Sequence, residues 1–385
     1  MTRRLDGIDL ARFVALAGMM LVHLGPIELN PFALPPWSEV IAGGRAATLF
    51  AVLAGVSISL VTRYSPQGSG SPCALSLRAI LLFLLGMVLG SISGIGIYVI
   101  LCYYAVVFMI AIPLRHLKAR TLLLLAFGWA MVAPVASILI RRHLGLTDFS
   151  QVDYADLGHP GRLVSQLLIV GTYPCGIWVA YLLLGLGLGK LDLKQPAVAR
   201  AMAGVGALLV ALTLIIAKAF LNSGVVDPIV GQERGWPSLF MIPNGNFPAD
   251  TWTSLAALGI HSSTPLNILT SMGSALFVIG ASLMLMGSAS SRTRLATFPL
   301  RSAGQMTLTL YTAHALLVWA RFDKGWHFTD GFYSEWLAQL VLLTLFATVW
   351  MSIFKRGPIE AGIHALTKRL PKRKKAPERV PSLKR

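Results

Sequence analysis

Apolar runs of about 17–22 residues recur along this chain, and a helix needs about 20 such residues to cross the hydrocarbon core of a bilayer. Few folds accept that pattern. Hydrophobic residues make up 55% of the 385 and charged residues 13%, against roughly 45–50% and 25% in soluble domains. A soluble enzyme, a disordered chain and a disulfide-stapled secreted domain are therefore excluded. So is a transmembrane β-barrel, whose strands would show about 10 residues of alternating polarity. The expected fold is all-α, a polytopic membrane protein of about ten transmembrane helices.

The spans are placed at 8–24, 46–62, 77–93, 96–113, 121–140, 165–189, 202–220, 266–287, 303–320 and 335–354. With the N-terminus inside, 24 of the 33 Lys and Arg fall in cytoplasmic segments, counting Arg78 at the cytoplasmic end of its span, and seven in outer loops, with Arg12 and Lys218 deeper inside spans. That asymmetry follows the positive-inside rule and predicts both termini in the cytoplasm of a multi-pass cell-membrane protein. Arg3 and Arg4 precede the first run as in a signal peptide. Asp6, Asp9 and Arg12 interrupt it, however, so it is expected to stay as the first helix.

Residues 1–354 form the expected membrane domain, followed by a basic tail, 355–385. The net charge of +17 could suggest nucleic acid, yet eleven of the basic residues lie in that tail. A basic segment directly after a spanning helix reads as a contact with anionic lipid headgroups, so the lipid bilayer is the expected partner and nucleic acid is not. Cys73, Cys102 and Cys175 show no metal or redox spacing, and no metal site is expected. The segments 25–45, 141–164 and 221–265 are rich in Pro and Gly and carry Trp37, Trp236, Phe240, Phe247 and Trp252. Loops of that length are expected to be ordered, functional lids.

Polar groups at bilayer depth are costly and mark candidate sites. Asp9, Arg12, Leu16, Met19 and His23 step by three or four residues, so they share one helical face. Asp9 and Arg12 can pair. His23 lies eleven residues beyond Arg12, about 16 Å along the axis, and a neutral His can accept a proton from a hydroxyl or amine. Thr307, Tyr311 and His314 share a face of the ninth span, where they can orient a sugar, assist proton transfer or simply join helices. Arg45 can grip a carboxylate or phosphate, or anchor at the interface. His261 opens the segment HSSTP, whose Ser and Thr can cap the following helix. Pro174 removes a backbone hydrogen bond and kinks the sixth span. The glycines at 185, 187 and 189 are not a dinucleotide fingerprint, since no strand precedes them.

Five segments, GIDLARFVALAGMMLVHLGP (7–26), GRAATLFAVLAGVSISL (44–60), GTYPCGIWVAYLLLGLGLGKLDL (171–193), HSSTPLNILTSMGSAL (261–276) and AGQMTLTLYTAHALL (303–317), resemble motifs of the YeiB-like group of bacterial membrane proteins. That group is related to the catalytic domain of heparan-α-glucosaminide N-acetyltransferase. The resemblance covers roughly residues 5 to 355. The first span is also similar to that of acyltransferase-3 type enzymes, in which an Arg, ten residues and a His recur as Arg12 and His23 do. One departure stands out: the glucosaminide enzyme has Asn at the position of His23 and its catalytic His in the next outer loop, whereas residues 25–45 here contain no His.

The resemblance implies transmembrane acyl transfer from cytoplasmic acetyl-CoA, or another short acyl-CoA, to an amine or hydroxyl of an extracytoplasmic glycan or glycolipid. On this reading His23 is base or covalent relay, Asp9 and Arg12 fix the first span, and Tyr311 and His314 flank the acceptor. Arg63, Arg78, Arg115 and Arg292 are the expected CoA-phosphate ligands, and Arg45 and His261 the expected acceptor contacts. A transporter or flippase of a small anion or lipid-linked saccharide is the alternative, with a membrane scaffold third. Monomer and homodimer both remain open.

Overall fold

Proline and short capping side chains set where the helices start. Ser71 accepts the N–H of Ala74 at 3.3 Å ahead of Pro72, and Thr264 accepts that of Asn267 at 3.2 Å ahead of Pro265. Each satisfies a donor that the first helical turn leaves open, and Pro at the first position loses no bond there. The computed structural model describes residues 5–26, 36–65, 67–92, 97–147, 150–226, 235–240 and 252–370.

In chain order the helices are α1 (Asp6–Leu24), α2 (Trp37–Ala42), α3 (Arg45–Tyr64), α4 (Pro72–Gly90), α5 (Leu101–Leu114), α6 (Ala119–Leu144), α7 (Pro160–Ser165) and α8 (Cys175–Leu188). They continue as α9 (Pro196–Asn222), α10 (Pro265–Gly287), α11 (Ser291–Ala296), α12 (Phe298–Gln305), α13 (Thr307–Lys324), α14 (Phe332–Ile353) and α15 (Pro358–Lys368). Among the described residues seven helices are long and apolar enough to cross a membrane, or eight with the bent pair around 171–174. Their outward faces are apolar, with Leu208, Leu212 and Ile215 of α9 and Leu345 and Val349 of α14 exposed. In water such belts would aggregate, and in a bilayer they are solvated.

Two of the ten expected spans are broken. The run 165–189 is a π-helical turn, Gln166–Val170, followed by α8 after a bend of 52°. Pro174 sits at the N-cap of α8, so the chain stops and restarts there instead of kinking within one helix. The run 303–320 is divided at Met306 into α12 and α13. The 14 residues of α5 are shorter than a span requires.

Glycines decide how closely the helices approach. In α8, Gly185 meets the Val52 carbonyl and Gly55 of α3, Gly189 meets Val56 and Ser59, and Gly187 turns to Leu123 of α6. The 185, 187, 189 series is thus a packing device on two faces of one helix. Helix α1 is the hub and touches α2, α3, α10, α12, α13 and α14. Its crossing with α12 is the tightest: a Cβ added at Gly304 would fall on the Asp9 carbonyl oxygen. Gly304→Val is expected to lower stability by about 3 kcal/mol, the upper end of overpacking costs, read as a lower melting temperature in detergent.

Candidate functional site

The shared face of α1 carries two polar stations. At the first, Arg12 Nη1 donates to Asp9 Oδ1 at 2.7 Å, and Arg12 Nη2 donates to Ser57 Oγ of α3 at 2.7 Å. Asp9 is 1% exposed, and a charge so buried must be paired and hydrogen-bonded. The expected pair is present and also ties α1 to α3.

At the second station His23 meets His314 of α13. His23 Nδ1 lies 3.2 Å from His314 Nε2, with the two ring planes within 4° of parallel and their centroids 5.3 Å apart. His314 Nδ1 lies 3.0 Å from Gln339 Oε1, and Gln339 Nε2 donates to Glu335 Oε1 at 2.8 Å. Glu335 Oε2 accepts the N–H groups of Phe328 and Thr329 at 2.8 and 2.9 Å, with Arg321 Nη1 3.7 Å away. His314, Gln339 and Glu335 are 0% exposed, while His23 is half-buried. Both histidines are expected from the sequence, whereas Gln339 and Glu335 are not. The four-residue spacing of Glu335 and Gln339 puts them on one face of the last span.

His261 adjoins this cluster. It packs edge-on against Tyr173 with centroids 5.5 Å apart and lies against Gly44 at the start of α3. Its backbone is left-handed (φ 54°), as is that of Ser263 (φ 58°), a conformation that costs roughly 1–2 kcal/mol per non-glycine residue. The turn is held by Thr264, whose hydroxyl donates to the Ala257 carbonyl at 2.7 Å, and by Asn267, whose amide donates to the Gly259 carbonyl at 2.9 Å. Burial pushes the His261 pKa down from 6.5 to about 4.

A cavity of about 400 Å³ runs along α1 and α3. Arg12, Arg78, Lys355, Arg356 and the carboxylate of Glu360 line one end, and Met19, Tyr104 and Tyr311 line the other. It follows α3 from Val61 to Phe50, eleven residues or roughly 16 Å of axis. His23 and His314 do not line it; Met19 and Tyr311, one turn before each, do. The Tyr311 hydroxyl is buried beside the Ile100 backbone without a hydrogen-bond partner of good geometry, and Arg78 Nε is buried and unpartnered. Burial first, and then Arg356, Arg78 and Lys368, holds the nearby His364 below its ordinary pKa.

The break at Met306 shapes this end. It frees the N–H groups of α13, and Glu360 of α15 caps them: Leu308 N and Thr309 N donate to Oε1 at 2.9 and 3.1 Å, and Thr309 Oγ1 donates to Oε2 at 2.5 Å. A carboxylate there also complements the helix dipole. The first part of the expected tail is therefore a helix packed on α4 and α13, and 371–385 lies outside the described residues.

The other expected ligands stand apart. Arg63 stacks over Tyr64 at 5.6 Å. Arg115 Nη1 donates to the Ile112 carbonyl at 2.8 Å. Arg292 is exposed on α11. None of the three lines the cavity. Arg45 donates to the Val40 carbonyl and lies 5.4 Å from the Phe240 ring centroid, so it braces the α2–α3 corner. Of the aromatic residues expected in the lids, Trp37 stacks on Tyr333 and Trp252 lies under Arg142. Lys218 sits over Trp236, and Phe247 lies outside the described residues. Among the described residues no group of three His, Cys, Asp or Glu could hold a metal.

No protein-family model matches the chain, and no curated protein matches it.

Two outcomes follow from this geometry. Glu360→Ala is expected to cost about 1–2 kcal/mol, the loss of a helix cap, measurable by thermal unfolding in detergent. The unfolded chain protonates His261 below about pH 6.5, the folded one only below about 4. Stability therefore falls on acidification across that window, by on the order of 3 kcal/mol. His261→Asn, which tolerates positive φ, is expected to flatten that slope in melting temperatures taken from pH 7 to 4.

Proposed function

We propose that this chain is a membrane acyltransferase that draws an acetyl or other short acyl group from acyl-CoA and delivers it to an amine or hydroxyl of an extracytoplasmic glycan or glycolipid. The cavity carries the proposal: it is basic at one end, apolar along its length, and closes on Tyr311 one turn below the His23–His314 pair. With the basic end toward the cytoplasm, as the charge asymmetry expects, the CoA phosphates would sit among Arg78, Lys355 and Arg356. The buried, unpartnered Nε of Arg78 is a donor that such an anion completes. Arg12, already held by Asp9 and Ser57, adds positive charge without moving. The pantetheine arm would follow α3 inward, bringing the thioester carbonyl toward the Tyr311 hydroxyl.

His23 is the residue for the transfer. As a base it takes the proton of the acceptor hydroxyl or amine while the acceptor lone pair bonds to the thioester carbonyl carbon. The C–S bond then breaks, and the proton passes to the departing sulfur. As a covalent relay the same ring would bond to the carbonyl carbon and release the thiol before the acceptor attacks. His261 and Tyr173 stand on the acceptor side of His23.

A second reading, a proton-coupled transporter, draws on the continuous row of polar groups from His23 to Glu335. The two separate by experiment. The purified protein in nanodiscs, given acetyl-CoA and a glycan acceptor, is expected to release free thiol, and Arg78→Gln to raise the KM for acetyl-CoA about tenfold, the equivalent of about 1.4 kcal/mol. Thiol release by His23→Ala at the wild-type rate would contradict the assignment. Substrate counterflow without any acyl donor would favour transport.

A further inference from the structure

The row His23–His314–Gln339–Glu335 has a direction, and its buried end sets it. Both oxygens of the Glu335 carboxylate are engaged, Oε2 by the Phe328 and Thr329 N–H groups and Oε1 by Gln339. A carboxylate only accepts hydrogen bonds, so Gln339 must present its NH2 to Glu335 and its carbonyl oxygen to His314. An amide oxygen likewise only accepts, so His314 Nδ1 carries a proton and donates to it. Arg321 already balances the Glu335 charge, and a second positive charge in this dry interior would be costly. His314 is therefore neutral, with Nε2 a bare acceptor. The group facing it is His23 Nδ1, which must donate. Only the Nε2 of His23 is left with a free lone pair.

We infer that Glu335 and Gln339 are positioning residues that lock His23, through His314, in the tautomer whose Nε2 is the base or nucleophile. The lock works by hydrogen-bond polarity alone, without proton uptake or a change of charge at the ring. Its catalytic consequence rests on the acyl-transfer reading; the order of the protons does not.

That polarity makes a near-isosteric substitution informative. In Glu335→Gln the single amide oxygen is claimed by the Phe328 and Thr329 N–H groups, so the new NH2 faces Gln339. The Gln339 amide must then turn over and offer its NH2 to His314 Nδ1. His314 carries its proton on Nε2 instead, donates to His23 Nδ1, and His23 is left as the Nε2–H tautomer. The row stays fully hydrogen-bonded, but the lone pair is now engaged within it.

The test is NMR of protein labelled with 15N-histidine in nanodiscs, the two rings assigned from His23→Gln and His314→Gln spectra, together with thiol release from acetyl-CoA. In the wild type both rings are expected as Nδ1–H with Nε2 bare, and in Glu335→Gln both as Nε2–H. Thiol release is expected to fall at least about a hundredfold, the lower bound for a lost general base, chiefly in kcat. An Nε2–H tautomer of His23 in the wild type overturns the inference, and that reading stands even if Glu335→Gln fails to fold. Reversed tautomers with undiminished turnover overturn the positioning role and leave acyl transfer standing. A wild type that shows the Nδ1–H tautomers but releases no thiol supports the proton order and removes acyl transfer.

Discussion

A helix bundle with apolar outer faces gives its buried polar groups no water, so each must find its partner within the protein. An unpartnered amide or hydroxyl in such surroundings costs several kcal/mol. That constraint places the main polar features. Asp9 is bearable because Arg12 pairs with it, and Arg12 is fixed because Ser57 takes its other nitrogen. The broken helix at Met306 is bearable because Glu360 reaches across from α15 to cap α13. His314 is bearable because Gln339 and Glu335 complete a row that ends on two backbone N–H groups. Each of these ties one helix to another, so the polar residues specify the packing that the apolar ones fill.

Among the described residues eleven buried side-chain N or O atoms do not meet that constraint, and two of them line the α1–α3 cavity. The Arg78 Nε and the Tyr311 hydroxyl both lie buried without a good partner, and both line the same cavity. One is a cation near the charged end, the other a neutral donor at the far end. An anion on an apolar arm that ends in a carbonyl would satisfy both at once, and an acyl-CoA has that order of groups. The His23 row is the complement: a closed set of hydrogen bonds with one nitrogen to spare.

What the sequence made legible is what the helical period carries. Asp9 and Arg12 pair as their spacing predicts, and Thr307, Tyr311 and His314 fall on one face that turns from the cavity to His23. Thr264 caps α10 as a Thr before Pro should. What it did not make legible lies between helices. Nothing in the chain pairs His23 with His314 across 291 residues, and Gln339 and Glu335 read as ordinary residues of the last span. Lys355 and Arg356 read as part of a lipid-binding tail because a charge run after a span looks the same whether it faces headgroups or a cavity. Arg63, Arg115 and Arg292 share only a membrane side with the expected phosphates, and side does not fix direction. The break at Met306 was hidden because the residues on both sides are apolar and the cap that permits it comes from position 360.

The account is tested most directly by an electron cryomicroscopy map of the protein with a non-hydrolysable acetyl-CoA analogue. It predicts diphosphate density among Arg78, Lys355 and Arg356, with the carbonyl of the analogue beside the Tyr311 hydroxyl. The cavity beside α1, α9 and α10, lined by Asp6, Lys194, Arg200 and Arg294, is the competing basic site. Analogue density there, with the α1–α3 cavity empty, would contradict it.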